Sequence, residues 1–167
     1  MAALDPELDV AVAAMSEAGA RFVVVGGFSV IANRFIRATE DVDFLVPDDV
    51  ANDRRVLTAL LQLDGVRLRD EAALCEDHLL GQAHLRAKTR AGVIDILRGG
   101  LPPLDYETVE RRAMRAEDDG VEFLVAGLSS IVGFKRLAGR PRDRNDLLGL
   151  AEIHGELPFE PIPGLDS

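Results

Sequence analysis

Apolar and polar positions change period several times along the chain, and each change marks an element. From Pro6 to Ala18, Leu8, Val12 and Met15 recur at helical spacing, and Gly19 is a natural stop. Arg21 to Val25 (RFVVV) is a short β-branched run between glycines and predicts a buried strand. Gly26-Gly27 breaks it, and FSVIANRFI returns to helical spacing through Phe28, Ile31 and Phe35. Thr39 to Val46 (TEDVDFLV) predicts a second strand, closed by Pro47. Asp48 or Asp49 caps a helix through Val50 to Leu63, which Asp64-Gly65 ends. Val66 to Leu68 is a short strand, and Arg69 to Gly81 a loop with a helical turn. Ala83 to Lys88 and Gly92 to Leu97 pattern as a hairpin, with Thr89-Arg90-Ala91 near its turn. Gly99, Gly100, Pro102 and Pro103 make an irregular connection to a helix at Tyr106 to Arg112 and a strand at Val121 to Val125. Two helices follow, Ser129 to Ala138 and Asp143 to His154, split by Gly139 and Pro141. The tail ELPFEPIPGLDS is Pro-rich and is expected to be loosely ordered.

Strands and helices mix without strict βαβ repetition. The expected class is α/β of the α+β type, a mixed β-sheet flanked by helices, not a doubly wound parallel sheet. The expected organisation is a single domain over 1–157, with a core at about 20–126 and C-terminal helices at about 129–154, then the tail 158–167. No internal repeat or low-complexity segment interrupts it.

Composition narrows the function. With 47% hydrophobic and 29% charged residues, the chain has the make-up of a folded domain. Its net charge of −10 argues against an extended nucleic-acid grip, which needs Lys and Arg against phosphates. Trp is absent and aromatics are 5%, which argues against base-stacking platforms. The one cysteine, Cys75, excludes an intrachain disulfide and a Cys-rich zinc module, and His78, His84 and His154 share no ligand spacing. No apolar run approaches the ~20 residues of a membrane span. The segment MAALDPELDVAVAAM carries acids and no basic stretch of a secretory signal, so a cytoplasmic protein is expected.

The chemistry centres on Asp41-Val42-Asp43. In an extended chain Asp41 and Asp43 share a face while Val42 and Phe44 take the other, and Arg37 and Thr39 join the Asp face if extension begins that early. Two adjacent carboxylates stay ionised together only if a cation or hydrogen bonds compensate, and Mg²⁺ is a usual partner. Alone, such a pair also occurs as acids at a solvated strand end. Gly26-Gly27, between strand and helix, lets the backbone approach a ligand, and Ser29 adds a hydroxyl in the first turn of a helix whose N–H groups suit phosphate. The same turn could equally be a tight connection with no ligand; neither a P-loop nor a G-x-G-x-x-G pattern is present. Asp95 is a lone acid among Val93, Ile94, Ile96 and Leu97, so it must face solvent, a partner or a metal. If its strand lies beside that of Asp41 and Asp43, three carboxylates converge. Lys135 stands out because the chain uses Arg 17 times and Lys twice, and a compact point charge suits a site. The RPRDRND segment follows it; Asp143 there reads most simply as a helix N-cap and Asp146 as a surface-paired acid.

In order, these pieces are Gly26-Gly27, thirteen residues that include Arg37 and Thr39, then Asp41-Val42-Asp43, then Asp95 in VIDIL. The combination resembles the nucleotidyltransferase superfamily that includes DNA polymerase beta, over roughly Phe22 to Leu150. It looks most like small bacterial members, the AbiEii-like toxin group and the stand-alone antibiotic nucleotidyltransferases. Lys135…Arg142-Asp143-x-x-Asp146 is also similar to that toxin group. The resemblance implies a minimal nucleotidyltransferase fold and Mg²⁺-dependent transfer of NMP from an NTP to a hydroxyl on a small molecule, an RNA end or a protein. It implies Asp41, Asp43 and Asp95 as catalytic residues and ligands of two Mg²⁺ ions, with Mn²⁺ as the alternative ion. It further implies Gly26, Gly27, Ser29, Arg37, Thr39 and Lys135 around the nucleotide. For a toxin it implies an antitoxin partner. The third acid lies 52 positions after Asp43, and no additional nucleic-acid domain accompanies the motifs, which favours a discrete acceptor. The competing readings are a non-catalytic nucleotide- or partner-binding module of the same fold, and a D-x-D glycosyltransferase, which leaves Gly26-Gly27 unexplained.

Overall fold

The computed structural model describes residues 6–166; residues 1–5, the start of the segment read as lacking a secretory signal, and Ser167 of the tail lie outside the described residues. The helical spacing near the N-terminus becomes α1 (Leu8–Glu17), which buries Ala11, Val12, Ala14 and Met15. The valine run becomes β1 (Val23–Val25), buried on both faces, and Gly26 passes directly into α2 (Gly26–Ala32). β2 (Asp41–Val46) is shorter than the predicted strand, because residues 37–40 are not paired into the sheet. α3 (Val50–Gln62) is capped by Asp49, whose carboxylate accepts from the Asn52 N–H at 3.2 Å. β3 (Val66–Arg67), a single 3₁₀ turn at Glu76–His78, and the hairpin β4 (His84–Thr89) and β5 (Gly92–Arg98) follow the expected order. α4 (Tyr106–Arg111) leads to a second hairpin, β6 (Met114–Asp118) and β7 (Val121–Val125), and the described chain closes with α5 (Leu128–Ala138), α6 (Pro141–His154) and the tail.

The sheet is mixed and seven-stranded, in the order β3-β4-β5-β2-β1-β7-β6. β2 runs parallel to β5 and β1 parallel to β7, while the other neighbours are antiparallel. Its two faces are covered by different helices. On one, Val42, Phe44, Ile94 and Ile96 pack with Val12 and Met15 of α1 and Val56 and Leu60 of α3. On the other, Val23, Val25 and Leu45 pack with Val30 of α2, Val109 of α4, Ile131 of α5 and Leu150 of α6. Apolar side chains on both faces hold this sheet between two helical layers, as area burial requires. No helix among the described residues is long and apolar enough to cross a membrane.

Three expectations need correction. β6 was not predicted: MRAED is largely exposed and polar, so it carries no alternation, although Asp119-Gly120 is a strong hairpin turn, both residues having positive φ. α6 begins at Pro141, not Asp143, because proline's fixed φ suits the first helical position. Asp143 is therefore not the N-cap; it reaches back from the third helical position to accept the Arg140 backbone N–H at 3.1 Å. The tail is not loose. Ile162 is buried, Arg136 donates to Asp166 at 2.6 Å and stacks 4.4 Å from the Phe159 ring centroid, and Arg112 pairs with Glu160.

Candidate active site

The parallel register of β2 on β5 sets Asp43 opposite Asp95, and the hairpin register sets Arg86 opposite Asp95 on its other side. The β1–β2 register sets Val25 opposite Asp43, with Gly26 next in the chain. One row across four strands thus reads Arg86, Asp95, Asp43, Val25, and the glycine turn stands at its end. Asp41, two residues before Asp43, shares its face. Carboxylate oxygens of Asp41, Asp43 and Asp95 lie within 4.8 Å of one another. Asp95 is buried, 7% exposed, and Asp41 and Asp43 are half-buried.

The two glycines serve different neighbours. Gly26 has φ of +66°, and a Cβ there would lie 1.8 Å from Asp43 Oδ2. A Cβ on Gly27 would lie 2.4 Å from Thr39 Oγ1 and 3.2 Å from Arg37 Nη1. Gly26 therefore makes room for the Asp43 carboxylate, and Gly27 for the segment that leads into β2. The Ser29 hydroxyl is buried and donates to the Gly26 carbonyl at 2.6 Å, which fixes the turn.

Three carboxyl groups this close cannot all ionise freely. Burial, then Asp95 within hydrogen-bonding reach and the charges of Asp41 and Asp95, push Asp43 up to about 8 against the opposing pull of Lys135. Burial and Asp95 also raise Asp41, opposed by Arg86 and Arg142. Burial works to raise Asp95, but hydrogen bonds from Asp43, Arg86 and Asp41 outweigh it and hold Asp95 below the usual carboxylate range. Arg86 is the cation that serves this cluster: its Nε donates to Asp95 Oδ1 at 2.7 Å and its Nη2 to Asp41 Oδ2 at 3.4 Å. His84 Nε2 stands 3.6 Å from the same Asp95 oxygen. Hard oxygen donors, a proton held near pH 8 and a guanidinium drawn into the cluster all fit a site built for a divalent cation.

The carboxylates form one wall of a cavity of about 520 Å³. α5 and α6 supply the facing wall, apolar at Ile131 and Phe134 and cationic at Lys135, Arg140 and Arg142. Lys135 is buried, with Nζ 3.1 Å from Asp143 Oδ1 and 2.9 Å from Asp146 Oδ2. Arg140 Nε donates to Asp143 Oδ2 at 2.6 Å. Arg142 makes no ion pair among the described residues and faces the cavity. Of the residues singled out from sequence, Gly26, Ser29, Asp41, Asp43, Asp95 and Lys135 line the cavity. Gly27, Arg37 and Thr39 stand behind it: Arg37 donates twice to Asp146, at 2.6 and 3.0 Å, and Thr39 Oγ1 donates to the Asp41 carbonyl at 3.2 Å. Asp146 is thus a buried acid shared by Arg37 and Lys135, not a surface one.

Sequence reasoning missed His84, Arg86 and Arg140 at the cavity, and named Arg142 only within the Lys135…Asp146 pattern. Arg86 had a signal: a hairpin turning at Arg90-Ala91 pairs Thr89 with Gly92 and so must pair Arg86 with Asp95. Arg140 had none, since its reach to the cavity depends on how α6 lies against the sheet.

Residues 2–157 match the family described as "Nucleotidyltransferase of unknown function" (DUF6036). Among solved structures, the crystal structure of ANT(2'')-Ia in complex with adenylyl-2''-tobramycin is similar at a TM-score of 0.58, with 14% identity, over 87% of this chain and 86% of that one. The solution structure of the antibiotic-resistance factor ANT(2'')-Ia gives a TM-score of 0.60, again at 14% identity, over 87% and 81%. At that identity the likeness is one of fold. No curated protein matches the sequence.

Proposed function

The chain belongs to this nucleotidyltransferase family, and from that premise we propose that it transfers NMP from an NTP to a hydroxyl acceptor with the help of Mg²⁺. The observation that carries the reading is the convergence of Asp41, Asp43 and Asp95 within 4.8 Å on one cavity wall. These three carboxylates would hold the metal, with Mn²⁺ as the alternative ion. Bound there, the metal would supply the positive charge that steadies the attacking and leaving oxygens of an in-line displacement.

The chain's own residues supply the rest. Lys135, Arg140 and Arg142 face the carboxylates across the cavity and receive the triphosphate charge. Gly26 leaves the room that lets Asp43 stand in the row. Asp95, held ionised by hydrogen bonds from Asp43 and Arg86, is the group suited to take the acceptor's proton. The new bond joins the acceptor oxygen to the α-phosphorus; the α–β bridging bond breaks, and pyrophosphate leaves with its electron pair. A cytoplasmic setting supplies both NTP and Mg²⁺.

The test is incubation with labelled NTPs, Mg²⁺ and cell extract. Wild type should transfer label, and the double variant Asp41→Ala, Asp43→Ala should lose about 10³-fold or more, since both charges that place the metal are gone. Transfer by the double variant at the wild-type rate sinks the catalytic reading. A toxin role rests on the Lys135…Asp146 pattern; growth arrest on overexpression, relieved by a neighbouring gene product, is its expected outcome. Unaffected growth removes that role and leaves the chemistry standing.

A further inference from the structure

A second cavity, also about 520 Å³, lies on the far side of β4 from the facing helices, and His84 and Arg86 line both cavities. β4 exposes alternate residues, so His84 and Arg86 stand as a shared partition one side chain away from Asp95. The other charged side chains of the second cavity come from β3 and the residues just after it, Arg67 and Arg69, and from Asp77 in the 3₁₀ turn, with His78 beside it. Of its three guanidinium groups, Arg86 is held by Asp95 and Asp41 and Arg67 by Asp70, which leaves Arg69 as the unpaired cation of the walls beside Asp77. Arg67 is engaged by Asp70 on both edges of the pair, Nε donating to Oδ1 at 2.9 Å and Nη2 to Oδ2. Arg69 is exposed and makes no ion pair among the described residues. His78 Nδ1 accepts the Cys75 N–H at 3.4 Å, which leaves the proton of the neutral ring on Nε2 as a donor. Arg69 and His78 therefore offer unengaged donors here, next to the carboxylate that takes the acceptor's proton.

Building on the nucleotidyl-transfer reading, we propose that this second cavity is the acceptor subsite and that it selects a small polyhydroxyl compound bearing a phosphate group. The phosphate sits against Arg69 and His78, and a hydroxyl on the same molecule reaches past His84 and Arg86 to Asp95. Anchoring the phosphate away from the reacting oxygen turns the transfer into an oriented, near-intramolecular step. Arg69, the guanidinium that holds the anion, works against a polycationic acceptor.

Amide NMR of the full-length chain tests this, with ribose 5-phosphate as the probe. It should shift the amides of Leu68, Arg69, His78 and Gln82, whereas ribose and the polyamine tobramycin should not. Arg69→Ala should weaken binding about tenfold, the worth of one charge-assisted hydrogen bond, and Arg69→Lys should recover part of it. The assignment is overturned if ribose 5-phosphate leaves those amides unmoved, if ribose or tobramycin shifts them as well, or if Arg69→Ala binds as wild type does. Shifts caused by a short single-stranded RNA and not by ribose 5-phosphate also overturn it, in favour of a polymer end. Whether MgATP shifts the amides of Gly26 and Ser29 is a separate readout, so failure of the nucleotide site and failure of the acceptor subsite are told apart.

Discussion

Gly26 shows how much one side chain, or the lack of one, decides at this site. Its positive φ and the 1.8 Å that would separate a Cβ from Asp43 Oδ2 act together. Gly26→Ala should lower stability by about 1–2 kcal/mol, the cost of a left-handed alanine. It should also push Asp43 out of the row and reduce transfer by about 10²-fold, since displacements near 1 Å at reacting groups cost that much. Denaturant unfolding and kcat/KM together check this: stability lost with activity kept would mean that Asp43's exact position is unimportant. The glycine's significance was legible in part. A glycine pair between a strand and a helix signalled close approach, but the sequence could not say that the approaching group is the chain's own carboxylate. Arg86 was legible in principle from the hairpin register. Gly27's dependence on Thr39 and Arg37 was not, because residues 37–40 lie outside the sheet and follow no periodic pattern.

At the scale of elements, α5 and α6 are joined to the segment before β2 by a buried set of charges. Lys135, Asp143 and Asp146 are each buried, and Arg37 and Arg140 close the set from its edges. Removing one member leaves the others as uncompensated charges in a poorly hydrated space. Asp146→Ala takes away the carboxylate that Arg37 pairs with and leaves Lys135 with Asp143 alone, and should cost about 3 kcal/mol by chemical denaturation. An effect under 1 kcal/mol would mean that water reaches the charges as at an ordinary surface pair. The helices themselves were readable from their apolar spacing, and so was the order of all but one strand. What the spacing could not carry was burial of polar residues: Asp143 and Asp146 look like helix-surface acids until α6 is laid against α5. β6 escaped for the converse reason, a strand whose exposed polar residues give no alternation, leaving Asp119-Gly120 as its sole trace.

At the scale of the whole molecule, a chain of net charge −10 has gathered three of its acids into one cluster, and pH and cations must act on that cluster together. The sign follows from Asp43. Its folded-state value, about 8, lies above the ordinary aspartate value, so between about pH 4 and pH 8 the folded chain keeps a proton that the unfolded chain has released. Stability on this account is greatest at the acid end and falls as pH rises towards 8. Asp143 acts oppositely but elsewhere: against its burial, hydrogen bonds from Arg140 and Lys135 hold it down to about 2, so its contribution is lost only as pH falls below about 4. A divalent cation competes with the Asp43 proton, so the stabilisation it brings should grow as pH rises. Thermal unfolding at pH 5 and pH 8, with excess Mg²⁺ and then with chelator, measures this directly. The increment from Mg²⁺ should be larger at pH 8. Asp43→Asn, which imitates the protonated acid, should be more stable than wild type at pH 8 in chelator and should lose most of the Mg²⁺ increment. An increment that does not change with pH in wild type would mean that Asp43 is already ionised in the cation-free fold, held so by Arg86 and Lys135.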